Sequence, residues 1–191
     1  MFNLEKWKTY SHTHRSFDFE EIISIDLVEE FKKKYRQVED QFEEFLFIED
    51  KNVIETIYDY SSLPDTDQFK FENFKSRKNS QLLAPLIIMA IPKHYDYSSL
   101  ALIGEVYSRI AHIALTHGYQ TGFCICYDNQ SVELLLAEKG YTKEPRQLNQ
   151  IPFLTIGHQI KDLPWNFQQR DVNTIINSYI KIDKEKYITV I

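Results

Sequence analysis

A chain of 191 residues that is 43% hydrophobic and 14% aromatic can bury the core of one compact domain, and we predict a single domain over residues 1–191. Its formal net charge of -6, with Lys32, Lys33 and Lys34 as its one dense basic cluster, argues against nucleic acid or an anionic membrane as the main partner. The first residues lack the pattern of a signal peptide, and no apolar run approaches the ~20 residues that span a bilayer, which predicts a cytoplasmic protein with no membrane segment.

The first half of the chain alternates between helical and strand-like patterns. Residues 25–36 place apolar side chains on one side, as an amphipathic helix does, and residues 53–58 predict a second helix with Asn52 as its cap. Residues 45–48 and 86–91 are short apolar runs that predict strands, and the second is so apolar that we expect it inside the sheet. The alternation predicts a fold that mixes helices and strands.

Residues 60–80 are polar, follow no clear period and carry Phe69, Phe71 and Phe74 among charged side chains. Such a segment is either a lid or dimer-wrapping excursion whose phenylalanines cover a ligand, or a loop that its aromatic side chains hold on the core. We favour the second interpretation.

Residues 100–117 predict a long helix with a narrow polar stripe, so we expect nearly all of its remaining surface to be buried. The stripe consists of Glu105, Ser108, Arg109, His112 and Thr116. Small residues at helical spacing would let another backbone approach closely; they are Ala101, Gly104, Ser108 and Ala111. Gly118 supplies the left-handed residue that commonly ends a helix. On these residues alone, the segment is an ordinary central helix of a mixed core.

The short apolar strand after Gly118 carries both cysteines of the chain, Cys124 and Cys126, which would face the same side of a strand. They indicate either a metal or redox pair or two small packed side chains, and we favour packing because a zinc site needs two further ligands. Asp128 is predicted to cap a helix over residues 131–139, which Gly140 would end.

The order of these features resembles the FMN-dependent nitroreductase family, in which a long central helix lies at the dimer interface and enters a strand that passes the flavin. The likeness in the C-terminal half rests on Gly104, residues 118–123 (GYQTGF), Asp128 and residues 152–158 (PFLTIGH). The resemblance implies that the backbone amides of Cys124 and Ile125, next to Phe123, lie near flavin N5.

A second match is residues 11–18 (SHTHRSFD), which are similar to the family's Arg-x-Ser-x-basic motif. The resemblance places Ser11 at the first arginine, Thr13 at the serine and Arg15 at the second basic residue. It implies that these side chains contact the FMN phosphate or pyrimidine edge, for which the guanidinium fork of Arg15 is suited. The alternative is that Arg15 is a surface residue before a helix.

Two further positions follow from the resemblance. The family's flavin-binding asparagine falls near Glu39, and since an ionised carboxylate cannot donate a hydrogen bond, Gln41 or Gln37 is the predicted substitute. Arg170 follows Gly157 at the distance at which the family places a basic residue on the FMN phosphate, although a lone arginine in a polar segment is also typical of a solvated side chain.

The resemblance therefore implies an α+β nitroreductase-like fold, with a central mixed or antiparallel sheet flanked by helices and a long buried central helix. It implies an FMN-dependent oxidoreductase that passes hydride from NADH or NADPH through flavin N5 to a small acceptor such as a nitro compound or quinone, and a homodimer. Ser11 and Glu39 depart from the family pattern, which motivates an alternative: a binding or scaffold protein without flavin chemistry.

Overall fold

The computed structural model describes residues 17–61, 79–144 and 151–159, which belong to one compact unit. The helices of these residues are α1 (Ile25–Tyr35), α2 (Lys51–Asp59), α3 (Tyr97–Thr116) and α4 (Asn129–Glu138). The strands are β1 (Phe42–Ile48), β2 (Leu86–Pro92), β3 (Gln120–Cys124) and β4 (Phe153–Gly157), and short 3₁₀ turns precede β1 and β2 at Glu39–Gln41 and Ser80–Leu82. A single domain over residues 1–191 stays a prediction, and most of the polar segment 60–80 lies outside the described residues.

The four strands form an antiparallel sheet in the order β1, β2, β4, β3. β2 pairs on both sides and all of its residues are buried, which explains its continuous apolar sequence. Met89 and Cys124 both lie opposite Phe153, and Phe42 lies opposite Pro92. The start of β1, the end of β2 and the end of β3 therefore share one end of the sheet. The predicted α+β class with an antiparallel central sheet is confirmed.

Side chains at the helix starts explain where the helices begin. Ser24 caps α1, and Asp128 caps α4 as predicted. The predicted cap of α2, Asn52, is wrong: Asn52 is already helical, and the Asp50 carboxylate accepts from its N–H at 2.9 Å. A carboxylate is favoured at this position because the N-terminal end of a helix carries a partial positive charge.

Two elements are longer than the sequence pattern predicts. α3 begins at Tyr97 because Asp96 Oδ1 accepts from the Ser99 N–H at 2.7 Å, which adds three residues to the predicted start. β1 begins at Phe42 instead of residue 45, since it pairs with β2 as far as Pro92. The predicted end of α3 is confirmed, as Gly118 has φ +88°.

α3 buries only one of its faces. The buried side chains are Ile103, Val106, Tyr107, Ile110, Ile113 and Ala114. The five residues of the predicted polar stripe are exposed, and so are Ala101 and Gly104, so the expectation that almost all the remaining surface is buried is wrong. The reason is that α3 packs on the sheet and on α1 along one side, and a Cβ at Gly104 would meet nothing within 4 Å. The helices of the described residues lack the combination of length and hydropathy that crossing a bilayer requires.

Gly157, the last residue of β4, has a packing reason to be glycine. A Cβ there would lie 2.6 Å from Pro85 Cδ, a distance at which the atoms overlap, and in a tight contact at 3.2 Å from Phe17 Cβ. Phe17 and Pro85 therefore pack on the end of β4 because this position has no side chain.

Candidate functional site

The segment at the end of β3, residues 123–126, is the centre of the candidate site and is called the β3-end segment below. Its side chains alternate: Phe123 is 41% exposed and Ile125 54% exposed, whereas Cys124 is 2% exposed. β3 pairs only with β4 among the described strands, so the segment lies at an edge of the sheet. It presents two apolar side chains to the outside and a thiol to the inside.

Tyr107 supports this segment from α3. The Tyr107 ring lies 6.2 Å from the Phe123 ring, and its side chain is fully buried. Its hydroxyl accepts from the Ala90 N–H at 2.8 Å and donates to the Pro152 carbonyl at 2.9 Å. Burial raises the pKa of Tyr107, so the hydroxyl stays a donor at any physiological pH. Tyr107 thus joins β2 to the residues before β4. This link lies just beyond Met89 and Phe153, the last residues at which β2 and β4 pair.

Tyr127 holds the chain on the other side of the segment. Its hydroxyl donates to the Ile151 carbonyl, and its ring lies 4.7 Å from that of Phe153. Burial raises the pKa of Tyr127 as well. Two buried tyrosines therefore fix consecutive carbonyls, those of Ile151 and Pro152, and hold the start of β4 beside the β3-end segment.

The two thiols of the segment lie in different surroundings. Cys124 Sγ accepts from Asn79 Nδ2 at 2.9 Å and from the Cys126 backbone N–H at 3.4 Å. Cys126 is half-buried and lies after the last residue of β3, so the expectation that both cysteines occupy one face of a strand is corrected. The hydrogen bond with the Cys126 side chain, followed by burial, raises the pKa of the Cys124 thiol. No group of three or more metal-binding side chains occurs within the described ranges.

Gln41, the predicted flavin-binding amide, lies at the same end of the sheet as the β3-end segment but does not adjoin it. The sheet order leaves three inter-strand spacings of about 4.8 Å between β1 and β3, which is roughly 14 Å. Gln41 Nε2 donates to Asp40 Oδ2 at 2.9 Å. Lys93 Nζ donates to the Asp40 carbonyl at 2.7 Å, which ties the end of β2 to this turn. Glu39 is exposed in the same turn.

The outer face of α3 forms a separate feature. A groove of about 780 Å³ lies between α1 and α3. Its lining residues are Glu30 and Lys34 from α1 and Glu105, Ser108, Arg109, His112 and Ile113 from α3. Arg109 forms an ion pair with Glu105, and His117 Nε2 lies 3.2 Å from Glu30 Oε2. The groove is thus charged, with the small residues of α3 beside it.

The opposite end of the sheet carries His158, which belongs to the motif 152–158 quoted above. His158 Nδ1 contacts Glu21 Oε1, and the His158 backbone N–H donates to Glu21 Oε2 at 2.9 Å. Its ring stacks on Tyr119 with 4.3 Å between centroids. These contacts attach the residues before α1 to the end of β4, and they are remote from the β3-end segment because they lie at the other end of β3.

The described residues include four of the predicted site residues, namely Gln41, Phe123, Cys124 and Ile125. The structure brings the last three together and leaves Gln41 at a distance. Ser11, Thr13, Arg15 and Arg170 lie outside the described residues. Asn79 and Tyr107 belong to the site and were not predicted from the sequence. Tyr107 has a usable signal, since it follows the buried helical spacing of Ile103 and Ile110, and a buried tyrosine hydroxyl needs a partner. Asn79 has no such signal in the sequence, because it lies 45 residues from Cys124.

Solved structures with the nitroreductase fold match this chain, which shares their mixture of helices with a central sheet. The resemblance inferred from the sequence is confirmed at the level of the fold. No family model matches the sequence, and no curated protein matches it either.

Three solved structures illustrate the match. A Bacteroides fragilis nitroreductase with bound FMN has a TM-score of 0.60 and 11% identity, covering 86% of this chain and 92% of its own. An iodotyrosine deiodinase bound to FMN and 3-iodo-L-tyrosine has a TM-score of 0.60 and 16% identity, covering 85% and 92%. A nitroreductase family protein from Clostridium novyi has a TM-score of 0.58 and 14% identity, covering 83% and 87%. At such identities the match concerns the fold.

Proposed function

We propose that this chain is an FMN-dependent oxidoreductase that takes hydride from NADH or NADPH and passes it through flavin N5 to a small acceptor such as a nitro compound or a quinone. The observation that carries the proposal is the nitroreductase fold, whose solved examples include FMN-bound proteins, combined with an open β3-end segment. We further propose that it acts in the cytoplasm as a homodimer.

The β3-end segment fits a flat apolar ring system. Phe123 and Ile125 expose apolar side chains. We propose the backbone amides of Cys124 and Ile125 as the donors toward flavin N5. Bound FMN would supply the hydride chemistry, while the chain orients it and excludes water. No acid, base or nucleophile of the chain is required, so no catalytic residue is proposed.

The phosphate end of the cofactor is assigned to residues outside the described ranges. We propose Ser11, Thr13, Arg15 and Arg170 as its ligands, with the two guanidinium groups as the strongest contributors because they donate to oxygen anions in pairs.

One observation favours the alternative, a nitroreductase-fold protein without flavin chemistry that acts as a binding or scaffold protein. The turn before β1 carries Glu39 and Asp40, and the amide of Gln41 already donates to Asp40 Oδ2. This turn offers carboxylates where a flavin carbonyl needs a donor, so Gln41 must give up its contact with Asp40 to serve the cofactor.

The visible absorption spectrum of the purified protein, measured before and after FMN addition and desalting, tests the main proposal. We expect retained flavin bands that a nicotinamide donor bleaches. Ile125→Pro removes one proposed backbone donor, whereas Ile125→Ala keeps it. The proline variant should lose FMN, and the alanine variant should keep it, with circular dichroism confirming that both are folded. A protein that stays colourless after reconstitution contradicts the proposal and supports the scaffold alternative.

The Arg15→Ala variant distinguishes the flavin-dependent function from the scaffold alternative at the proposed contact with the FMN phosphate. It should weaken FMN affinity by about tenfold or more, because a charge-assisted hydrogen bond contributes about 1.5–3 kcal/mol. Arg36→Ala, which removes an exposed arginine next to α1, is the matched control and should leave FMN affinity unchanged. Equal affinity in both variants would exclude Arg15 as a ligand.

The homodimer is proposed to form through the outer face of α3, where Gly104 is exposed and has open space around it. Gly104→Leu should shift the protein from dimer to monomer in sedimentation velocity, since the added side chain blocks close approach. Glu55→Leu adds the same side chain to the exposed face of α2 and should leave the dimer intact. A wild-type protein that sediments as a monomer at all concentrations would contradict this part of the proposal.

A further inference from the structure

Cys124 and Cys126 form a pair of adjacent thiols that neither the fold nor the proposed flavin chemistry uses. Neither forms a disulfide, and the Cys126 N–H donates to Cys124 Sγ at 3.4 Å. This contact places the Cys124 sulfur against the backbone of Cys126. The pair is therefore placed for a bond between its sulfurs.

The end of β3 is what makes this contact possible. In a continuous strand, residues two apart have Cα atoms about 6.6 Å apart, close to the upper limit of about 6.8 Å for a disulfide. β3 ends at Cys124, and Cys126 lies outside the strand, before Tyr127 forms its isolated bridge with Ser61. The spacing of the two residues is thus within reach of a disulfide, and strand pairing does not hold the backbone of Cys126.

The two thiols differ in access, which assigns each a role. Cys126 is half-buried and meets a solute first, whereas Cys124 is 2% exposed and its sulfur accepts from Asn79. The contact with the Cys126 side chain and burial raise the pKa of Cys124, which disfavours Cys124 as the first nucleophile. Asn79 Nδ2, 2.9 Å from Cys124 Sγ, holds the second sulfur in position.

We propose that Cys124 and Cys126 are a thiol–disulfide exchange site that forms a reversible intramolecular disulfide with a low-molecular-weight disulfide such as oxidised glutathione. The Cys126 thiolate attacks one glutathione sulfur, the glutathione S–S bond breaks, and the first glutathione leaves and takes up the proton that Cys126 released. Cys124 then attacks the Cys126 sulfur of the mixed disulfide, and the second glutathione leaves with the Cys124 proton. The dithiol loses two electrons, and the glutathione disulfide gains them as two thiols.

A thiol reductant reverses the exchange through the same mixed-disulfide step. Oxidation would also fix the backbone around Ile125, the residue exposed between the two sulfurs. The exchange does not require bound FMN, because the two sulfur atoms that form the disulfide both belong to this chain.

Treatment of the full chain with oxidised glutathione, followed by thiol titration and mass spectrometry, tests the proposal. We expect the loss of both titratable thiols, an intact mass lower by two hydrogens, one peptide that carries both linked cysteines, and full recovery with dithiothreitol. Cys124→Ser should instead hold a stable glutathione adduct on Cys126. Cys126→Ser should react far more slowly, because its one thiol is buried.

A wild-type protein that keeps both thiols, stops at a stable glutathione adduct or forms only disulfides between chains overturns the proposal. These readouts on the wild-type protein do not depend on how the variants fold. They are also independent of flavin retention, so a colourless protein that forms the disulfide rejects the flavin function and keeps this one.

Discussion

The two faces of α3 differ in how far other parts of the same chain bury them. The inner face is covered by the sheet and carries Ile110 at 0% exposure and Tyr107 with its hydroxyl bonded to Ala90 and Pro152. The outer face exposes Gly104 with open space around it, beside a charged groove. The inner face is packed in the interior of the chain. The outer face carries small residues typical of a contact surface, but these residues are exposed.

A long apolar helix can therefore carry two interfaces that a sequence pattern does not distinguish. α3 has many apolar residues around its circumference, yet one chain buries only part of them. Substitutions on the inner face should therefore change the free energy of unfolding, and those on the outer face should change association. The following variants test that division.

The largest effect is expected for Ile110→Ala on the inner face. Removing a fully buried isoleucine side chain should lower the free energy of unfolding by about 2–5 kcal/mol, because transfer and cavity terms add. Urea denaturation measures the change. Ser108→Ala, two residues away on the outer face, is the control and should stay within about 0.5 kcal/mol of wild type. Similar losses in both variants would show that the two faces are equally buried.

Tyr107→Phe should lower the free energy of unfolding by about 1–3 kcal/mol, since it leaves the Ala90 N–H and the Pro152 carbonyl without their buried partner. The phenyl ring fills the same space, so the loss reports on the hydroxyl alone. Tyr119→Phe serves as the comparison, because that ring is half-buried and stacks on His158. Urea denaturation with an unchanged slope would confirm that the fold is kept, and a Tyr107→Phe variant as stable as wild type would exclude the bridge.

Gly104→Ala tests the outer face with the smallest possible side chain. A methyl group there meets nothing within 4 Å, so the substitution should stabilise a single chain by about 0.5–1 kcal/mol through helix propensity. Gly157→Ala makes the same change where the methyl would lie 2.6 Å from Pro85 Cδ, and it should destabilise. Thermal unfolding of both variants at low protein concentration shows whether each substitution raises or lowers stability. A destabilised Gly104→Ala variant would mean that other residues already cover α3 on that side.

The sequence predicts the interior of the fold better than its surroundings. The apolar run of β2 and the left-handed Gly118 were recognisable because burial on both sides and a positive φ each demand particular residue types. The cap of α2 was misassigned because Asp50 and Asn52 are both good caps, and only the backbone geometry distinguishes them.

The candidate site could be predicted only where its residues are neighbours in sequence. Phe123, Cys124 and Ile125 lie in one strand end, so a local pattern brings them together. Asn79 reaches Cys124 through the folding of a distant turn, and Gln41 is separated from the segment by the strand order. Neither the Asn79 contact nor the separation of Gln41 produces a periodic pattern in the sequence, because both depend on how the strands are arranged in the sheet.

The smallest effect concerns the start of α3. Hydrogen bonds from Ser99 hold the pKa of the Asp96 carboxyl below its ordinary value, so the folded state binds a proton less readily than the unfolded state. The stabilisation by the charged cap is present above the ordinary carboxyl range and is lost as the pH falls through the lowered pKa. Asp96→Asn keeps an acceptor that does not titrate. Its melting temperature should fall slightly less steeply on acidification than that of wild type, because one source of acid sensitivity is gone. Identical slopes in the two proteins would show that the Asp96 carboxylate does not contribute to the stability of the outer, N-terminal end of α3.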